Sequence, residues 1–151
     1  MTNQTEIVLR TADARDLPAI EQLLVASDLP TVGIADVSCG FIVAEQDEQI
    51  VGVVGLEVCC NEYALLRSTA VDQVWRGHGV GRRLVARAIA EAEARGFHAL
   101  YLLTTTAERY FPSFGFVATT RDDVPAPVRD TAEFRSACPA SASVMSLCLT
   151  E

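Results

Sequence analysis

A glycine-rich segment that runs directly into an amphipathic helix constrains the fold of this chain more than any other feature. The segment Arg76–Gly81 contains three glycines, and glycine lets the backbone adopt torsion angles that a β-carbon forbids. From Val80 onward, apolar residues recur at three- and four-residue spacing, with charged residues between them. This pattern predicts a helix with one buried face, which begins at the glycines and ends at Gly96.

The start of such a helix is suited to binding an anion. The N–H groups of its first turn have no partner within the helix, and the helix dipole adds partial positive charge. Arg76 and Arg82 can add charge-assisted hydrogen bonds. A pyrophosphate fits a site of this kind, while a plain strand-to-helix connection is the simpler alternative.

Two common nucleotide-binding motifs do not match this segment. A Walker loop requires a lysine directly after its second glycine, and the chain contains no lysine. A dinucleotide-binding loop follows the first strand, with an acidic residue about 20 positions later. Here the segment follows the fourth predicted strand, and its glycine spacing is different. Acyl-coenzyme A is the ligand class that remains.

Apolar runs separated by polar turns predict a single α/β domain over residues 1–151. Two of the strands form a hairpin around a polar turn, and the run after the long helix is apolar throughout, as in a buried strand. The predicted strands are Ile7–Leu9, Phe41–Glu45, Ile50–Val58, Tyr63–Val71, Ala99–Leu103, one from Gly115 and Ser143–Leu149. The other predicted helices run from Asp16 to Ala26, over Thr106–Phe111 with a stop at Pro112, and within Val124–Thr131.

Composition narrows the class of partner. The chain has 151 residues, a net charge of −8 and an estimated pI of 4.7, which argues against nucleic-acid binding because phosphates require a basic surface. No run approaches the roughly 20 apolar residues of a membrane span, and the first residues do not resemble a secretory signal. The five cysteines show no metal-binding spacing. We expect a cytoplasmic protein with reduced thiols, without a bound metal or a membrane partner.

The motif Arg-x-x-Gly-x-Gly, here Arg76, Gly79 and Gly81, resembles the coenzyme A signature of the GNAT N-acetyltransferase superfamily. The segments 50–57, 65–71 and 110–116 resemble that superfamily's third strand, fourth strand and Gly-Phe region. The resemblance implies a mixed, mostly antiparallel central sheet flanked by helices, with a splay between the fourth and fifth strands. It also implies acetyl-CoA as the acyl donor. The residues expected to bind it are Ala70, Val71, Arg76, Gly77, His78, Gly79, Val80, Gly81 and Arg82.

Two subgroups of the superfamily are similar to this chain: the N-acetylglutamate synthase-like domains and the arsenic-resistance N-acetyltransferases. The stretch from Arg121 to Met145, including Ala137-Cys138-Pro139, favours the second. The implied acceptor is a small amino-acid-like amine, such as an arsenic-containing glutamate analogue. Glutamate or another metabolite is the alternative acceptor, and a non-catalytic acyl-CoA sensor is the alternative function. We also expect a homodimer formed through the C-terminal strand.

Acetyl transfer to an amine requires a base for one proton and a source of another for the leaving thiolate. Glu57, at the end of the hairpin strand, is the candidate base, with Glu62 as a stand-in. The superfamily's usual tyrosine lies four residues before the glycine of Gly-Phe, and that position is Phe111. Either Tyr110 is repositioned as the acid, or the thiolate leaves without a tyrosine donor and Phe111 contacts the bound substrates. We favour the second alternative slightly.

The acceptor's carboxylate calls for a cationic partner. Arg67 interrupts an apolar strand just before the expected cofactor segment, and a guanidinium can bind a carboxylate through two hydrogen bonds. An outward-facing strand arginine is the alternative. Arg121 and Arg135 are weaker candidates for the same task, and the Cys138 thiolate is a weak candidate for contact with a trivalent arsenical.

Overall fold

The computed structural model describes residues 7–29, 31, 34–35, 39–104, 110–131, 134–135 and 142–149. Within these ranges the strands form a sheet of seven in the order β1-β2-β3-β4-β5-β7-β6. β4 and β5 are parallel, and the other neighbouring strands are antiparallel. The strands are β1 Val8–Thr11, β2 Cys39–Gln46, β3 Gln49–Val58, β4 Tyr63–Val71, β5 Ala99–Thr104, β6 Val117–Thr119 and β7 Ser143–Cys148. The prediction of a mixed, mostly antiparallel sheet is confirmed.

Three α-helices accompany the sheet in the described ranges: α1 Leu17–Ala26, α2 Val80–Ala94 and α3 Ala126–Arg129. A proline in the first turn of α1 has no N–H to leave unpaired, which suits that position. α2 begins after Gly79 and is followed by Gly96, and both glycines have positive φ, 81° and 84°. Single 3₁₀ turns lie at Ala14–Asp16, Gln73–Trp75, Phe111–Phe114 and Arg121–Asp123.

The sheet buries a different set of side chains on each face. α2 packs on one face, where Val80, Leu84 and Ala88 join residues of the central strands in the main apolar cluster. A β-carbon on Gly52 of β3 would lie 2.9 Å from Leu84 Cδ1, so this glycine permits the close approach of α2. The opposite face carries a cluster around α1 and another around α3, centred on Ile20 and Val128 respectively.

β4 and β5 pair over only part of their length. The paired residues are Tyr63–Leu65 on β4 and Ala99–Tyr101 on β5, while β4 continues to Val71 and β5 to Thr104. The two strands therefore diverge beyond Leu65, which confirms the predicted splay. Beyond Leu65, β5 does not pair with this edge of β4, so a bound ligand can take hydrogen bonds from its backbone.

Some predicted elements differ from the structure. Pro112 does not stop a helix. It lies in the first turn of the 3₁₀ helix Phe111–Phe114, a position that proline tolerates because its missing N–H is not needed there. The predicted helix over residues 106–109 lies outside the described residues. β7 is paired with β5 on one side and with β6 on the other, so a dimer cannot form by strand addition at the paired part of β7.

The carboxylate of Asp16 ties the start of α1 to β1. It accepts hydrogen bonds from Arg10 Nη1 and Nη2 at 2.9 and 3.0 Å and from the Asp13 N–H at 2.9 Å. Its side chain is 12% exposed. The Arg10 hydrogen bonds, assisted by the Asp13 N–H and opposed by burial, lower the pKa of this carboxyl group from 3.8 to about 2.

This pKa shift predicts a specific pH dependence of stability. A carboxyl group with a lowered folded-state pKa stabilises the fold fully above its unfolded-state pKa of about 4. The contribution disappears as the pH falls from about 4 to 2. We expect Asp16→Asn to lower the free energy of unfolding by about 1–2 kcal/mol at pH 7 and by almost nothing near pH 2. Urea denaturation of both proteins across this range measures the difference, and an equal loss at both pH values would contradict it.

Candidate functional site

A cavity of about 620 Å³ lies between the end of β4, the glycine-rich loop and the C-terminal side of α1. It adjoins the gap between β4 and β5, because Thr69, Ala70 and Val71 of β4 form part of its wall. The other lining residues are Ser27, Leu29, Trp75, Arg76, Gly77, Gly79, Val80, Gly81, Arg82 and Tyr110. Eight of the nine predicted cofactor residues therefore border a single cavity.

The loop requires glycine at two positions because of its backbone torsions. Gly77 and Gly79 have φ values of 83° and 81°, which L-residues with a β-carbon rarely adopt. A β-carbon on either would meet nothing within 4 Å, so torsion and not space selects glycine here. Arg76 closes the loop against the strand, since its Nε donates to the Val71 carbonyl oxygen at 3.1 Å. The first turn of α2 is thereby held at the cavity wall.

Gly81 differs from these two glycines, because a β-carbon there would make only ordinary contacts within the protein and would occupy space beside the cavity. A β-carbon placed on it would lie 3.4 Å from Val71 Cγ2 and 3.6 Å from the Tyr110 hydroxyl oxygen. The first turn of α2 thus faces Tyr110 across a space that a side chain would fill. Unpaired helical N–H groups beside such a space suit a phosphate group, so the residues present fit the phosphates of coenzyme A.

Tyr110 and Arg82 pack against each other on the cavity wall. The Arg82 guanidinium carbon lies 5.6 Å from the centre of the Tyr110 ring and 4.9 Å from that of Phe114. Arg82 Nη2 also donates to Ser113 Oγ at 3.3 Å. Burial raises the pKa of the Tyr110 phenol, and the nearby Arg82 charge offsets part of this rise. The phenol is therefore protonated at neutral pH and can act as a proton donor.

Phe111 lies away from this cavity. It is 8% exposed and belongs to the main apolar cluster, where its ring meets Phe116 edge-on at 5.8 Å between ring centres. The prediction that Phe111 contacts substrates does not match this position. The reason is the backbone: the chain enters a 3₁₀ helix at Phe111, which turns Phe111 into the core and leaves Tyr110 at the cavity.

Glu57 and Arg67 form an ion pair on the sheet face opposite α2. Arg67 Nη1 donates to Glu57 Oε1 at 2.9 Å, and the two side chains are 0% and 13% exposed. Arg67 Nε donates to Ser68 Oγ at 3.1 Å. Ser68 has a positive φ of 59° at a register shift between β3 and β4. The buried position of Arg67 contradicts the outward-facing alternative, and its guanidinium donates to Glu57 and Ser68.

Arg121 lies at a second cavity, of about 350 Å³, formed by residues 118–122 and 142–144 at the ends of β6 and β7. Its guanidinium carbon is 5.7 Å from the ring centre of Phe134, a residue of the cluster around α3. Arg121 is therefore on the same sheet face as Glu57 and Arg67. Cys138, the candidate arsenical contact, lies outside the described residues.

Several cavity residues could not be identified from the sequence, and one predicted residue is not at the cavity wall. His78 is exposed and stacks edge-on against Trp75, with ring centres 5.6 Å apart. Both border a separate groove on the outer side of the loop. Ser27 and Leu29 follow α1 in the sequence, and the packing of the folded chain brings them to the cavity wall. The Ser27 hydroxyl oxygen is buried and has no hydrogen-bond partner among the described residues. Trp75 could have been found, because it directly precedes the Arg76 motif.

Neither a metal site nor a membrane span is found in the part of the chain that the structure describes. Its histidine, cysteine, aspartate and glutamate side chains form no group of three or more that could hold a metal ion. Its helices include none of the length and hydropathy needed to cross a membrane.

Comparisons with known proteins agree with this geometry. The model of the acetyltransferase (GNAT) domain family matches residues 38–118. An amino-acid acetyltransferase of Mycobacterium tuberculosis is 30% identical over 132 residues, covering 82% of this chain and 75% of that protein. The structure of the M. tuberculosis protein Rv2747, in complex with CoA and a second ligand, superposes with a TM-score of 0.78 at 27% identity, covering 95% of this chain and 99% of that one.

A more distant structure shows the fold alone. N-acetylglutamate synthase from Neisseria gonorrhoeae, complexed with coenzyme A and N-acetyl-glutamate, has a TM-score of 0.80 at 20% identity, covering 99% of this chain. This chain spans about a third of that synthase, 36% of its length. With its divergent β4 and β5, its glycine-capped α2 and a family match over residues 38–118, the chain belongs to the GNAT family of acetyltransferases, and acetyl-CoA is its acyl donor.

Proposed function

We propose that this protein transfers the acetyl group of acetyl-CoA to the amine of a small amino-acid-like molecule. The observation that carries the proposal is the position of the 620 Å³ cavity, which joins the start of α2 to the gap between β4 and β5. A donor bound along α2 can reach through this gap toward the opposite sheet face, where Glu57 and Arg67 lie. We further propose a single domain over residues 1–151, a cytoplasmic location and a homodimer.

The donor is held by the loop and by the divergent end of β4. The first-turn N–H groups of α2, with Arg76 and Arg82, bind its phosphates. Ala70 and Val71 line the path of the pantetheine arm. Acetyl-CoA supplies an activated thioester, and the protein's task is then alignment and proton transfer.

Glu57 and Tyr110 are the proposed proton-transfer groups. Glu57 takes a proton from the acceptor's amine, which must be neutral to attack the thioester carbonyl. As the new C–N bond forms and the C–S bond breaks, Tyr110 gives its phenolic proton to the leaving sulfur. The nitrogen then releases its second proton, and that proton, passed through solvent, restores the Tyr110 phenol. Tyr110 is proposed as this acid because it lines the donor cavity, whereas Phe111 is buried in the core.

The acceptor carboxylate is assigned to Arg121. It borders a cavity on the same face as Glu57, and a guanidinium matches a carboxylate or a similar oxyanion. The amino-acid acetyltransferase relative supports an amino-acid-like acceptor. Within this class we propose an arsenic-containing glutamate analogue, on the resemblance of the segment from Arg121 to Met145 to the arsenic-resistance enzymes. Glutamate and other amino acids are the alternatives.

A thiol-release assay with a panel of amines tests this proposal. We expect acetyl-CoA-dependent thiol release with a small amino acid or an arsenic- or phosphorus-containing glutamate analogue, and little release with simple alkylamines that lack a carboxylate. Arg76→Ala should raise the KM for acetyl-CoA about tenfold or more, since it removes both a cation and the contact with Val71. Tight acetyl-CoA binding without release on any amine would identify a sensor and overturn the proposal.

A further inference from the structure

Glu57 and Arg67 form a buried ion pair on the face of the sheet where the acceptor is proposed to bind. Arg67 lies between apolar clusters: Leu65, two residues before it, packs with α3, and Ala70, three residues after it, packs with α1. Moving a charge out of water is expensive, and a buried ion pair often stabilises a fold no more than apolar residues of the same volume would. The stability of the fold therefore does not account for this pair.

The two members of the pair are not equivalent. The Arg67 side chain is fully enclosed, while the Glu57 side chain retains 13% exposure. Glu57 is also opposite Leu65 in the strand register, and Leu65 is the last residue of β4 that pairs with β5. The carboxylate therefore stands beside the point where the gap opens, with the guanidinium behind it.

The orientation of the guanidinium is fixed from a second direction. Its Nε donates to Ser68 Oγ at 3.1 Å while its Nη1 donates to Glu57 at 2.9 Å. A β-carbon on Gly55 would lie 3.2 Å from Arg67 Cγ, so the glycine on the neighbouring strand makes room for the stem of this side chain. Because both the aliphatic part and the guanidinium of Arg67 are held in place, the Nη1 donor to Glu57 has a fixed position.

We propose that Arg67 is a positioning residue that holds the Glu57 carboxylate at the mouth of the gap, and that it does not bind the acceptor's carboxylate itself. This inference rests on the proposed function, in which Glu57 takes the proton of the acceptor amine. Catalytic groups must be held close to their productive geometry by partners whose own positions are locked. Loss of Arg67 should therefore act on the chemical step and not on acceptor binding.

Steady-state kinetics of four variants test the proposal, with the acceptor that the amine panel identifies. We expect Glu57→Gln to lower kcat about 100-fold, in the range of general-base removal. Arg67→Met should lower kcat about 30-fold or more with the KM for the acceptor within about twofold. Arg67→Lys, which keeps a cation, should recover part of this loss. The double variant Glu57→Gln/Arg67→Met should be no slower than Glu57→Gln alone. Arg67 acts only through Glu57, so its loss has no further effect once the carboxylate is gone.

A matched control separates this role from a structural one. Arg87→Met removes an exposed arginine on the outer side of α2 and should leave kcat, both KM values and the melting temperature unchanged. All variants are checked for acetyl-CoA affinity and melting temperature. If Arg67→Met fails to fold because Glu57 is left without a partner, Arg67→Lys and the double variant, which contains no lone charge, still give the comparison.

The outcomes distinguish failure of the inference from failure of the proposed function. A KM for the acceptor raised tenfold or more by Arg67→Met, with kcat preserved, would make Arg67 a substrate clamp and overturn the inference while acetyl transfer stands. A further loss in the double variant would overturn it as well, because Arg67 would then act independently of Glu57. Wild-type turnover that Glu57→Gln does not reduce overturns both the base assignment and the inference. Absence of wild-type turnover on every amine overturns the proposed function and the inference with it.

Discussion

Replacing Tyr110 with Phe should lower kcat for acetyl transfer about 30- to 100-fold and leave the affinity for acetyl-CoA within about twofold. The phenol lies at the cavity wall, and its oxygen is 3.6 Å from the position that a β-carbon on Gly81 would occupy. The substitution removes the donor hydroxyl and keeps the ring, so the contacts with Arg82 and Phe114 remain. The rate of thiol release at saturating donor and acceptor gives kcat. Calorimetric titration with acetyl-CoA gives the affinity, so the two quantities are measured separately.

The pH profile gives a second measurement of the same residue. Burial raises the pKa of Tyr110 above the usual value of 10.0, with partial compensation by Arg82. A raised pKa keeps the proton on the acid through the neutral range and into alkaline pH. Activity that depends on this proton should therefore persist to a higher pH on its alkaline side than a tyrosine of ordinary pKa would allow.

Tyr63→Phe is the matched control for Tyr110→Phe. Tyr63 is half-buried at the start of β4, within the part that is paired with β5, and it does not line the cavity. It should leave kcat within about twofold. A loss of less than about threefold for Tyr110→Phe would remove Tyr110 as the acid, and the thiolate would then depart without a tyrosine donor.

Replacing Gly81 with a larger residue should weaken acetyl-CoA binding without lowering the stability of the fold. A β-carbon here meets Val71 at 3.4 Å and the Tyr110 hydroxyl at 3.6 Å, which are ordinary contacts, so Gly81→Ala fits the fold. Alanine is favoured over glycine in a helix by up to about 1 kcal/mol, and the melting temperature should be equal or higher. The same methyl group occupies the space beside the phosphate-binding turn. We expect the Kd for acetyl-CoA to rise about tenfold with Gly81→Ala and about 100-fold or more with Gly81→Val.

Ala86→Gly is a control with the opposite expected result: lower stability and unchanged affinity for acetyl-CoA. Ala86 is exposed on α2, so its replacement should lower stability by up to about 1 kcal/mol while cofactor affinity stays the same. Thermal unfolding and acetyl-CoA titration of the three variants give both quantities. Unchanged affinity in Gly81→Val would show that the donor's phosphates do not bind at the first turn of α2.

The elements around the cofactor loop were predictable because local patterns determine them. β4 has the predicted bounds Tyr63–Val71, and α2 begins at Val80 as expected. A period of two or of 3.6 residues appears in the sequence wherever one side of an element is buried. Gly77 and Gly79 were recognisable for a similar reason, since their torsions require glycine whatever packs nearby.

The 3₁₀ turn at Phe111 was not predictable in this way. Tyr110 lies at the cavity and Phe111 in the core, and a shift of the turn by one residue would exchange them. The resemblance to the GNAT superfamily places Phe111 at the position of its usual tyrosine and so implied that Phe111 faces the substrates. The choice between the two aromatic residues depends on how the turn packs against Phe114 and Phe116, and these contacts are tertiary.

By itself, the sequence determined the sheet-and-helix order, the glycine loop and the class of ligand that the loop can hold, because backbone torsion and hydrophobic period are local properties. The tertiary structure alone decided what the polar residues do. Glu57 and Arg67 lie on different strands and meet because β3 and β4 pair in the register that sets Gly55 opposite Arg67 and Glu57 opposite Leu65. Ser27 reaches the cofactor cavity only because α1 packs against β4. A hydrogen bond between distant residues depends on a strand register that neither local sequence encodes, so the pairing that turns Arg67 inward could be found only in the folded chain.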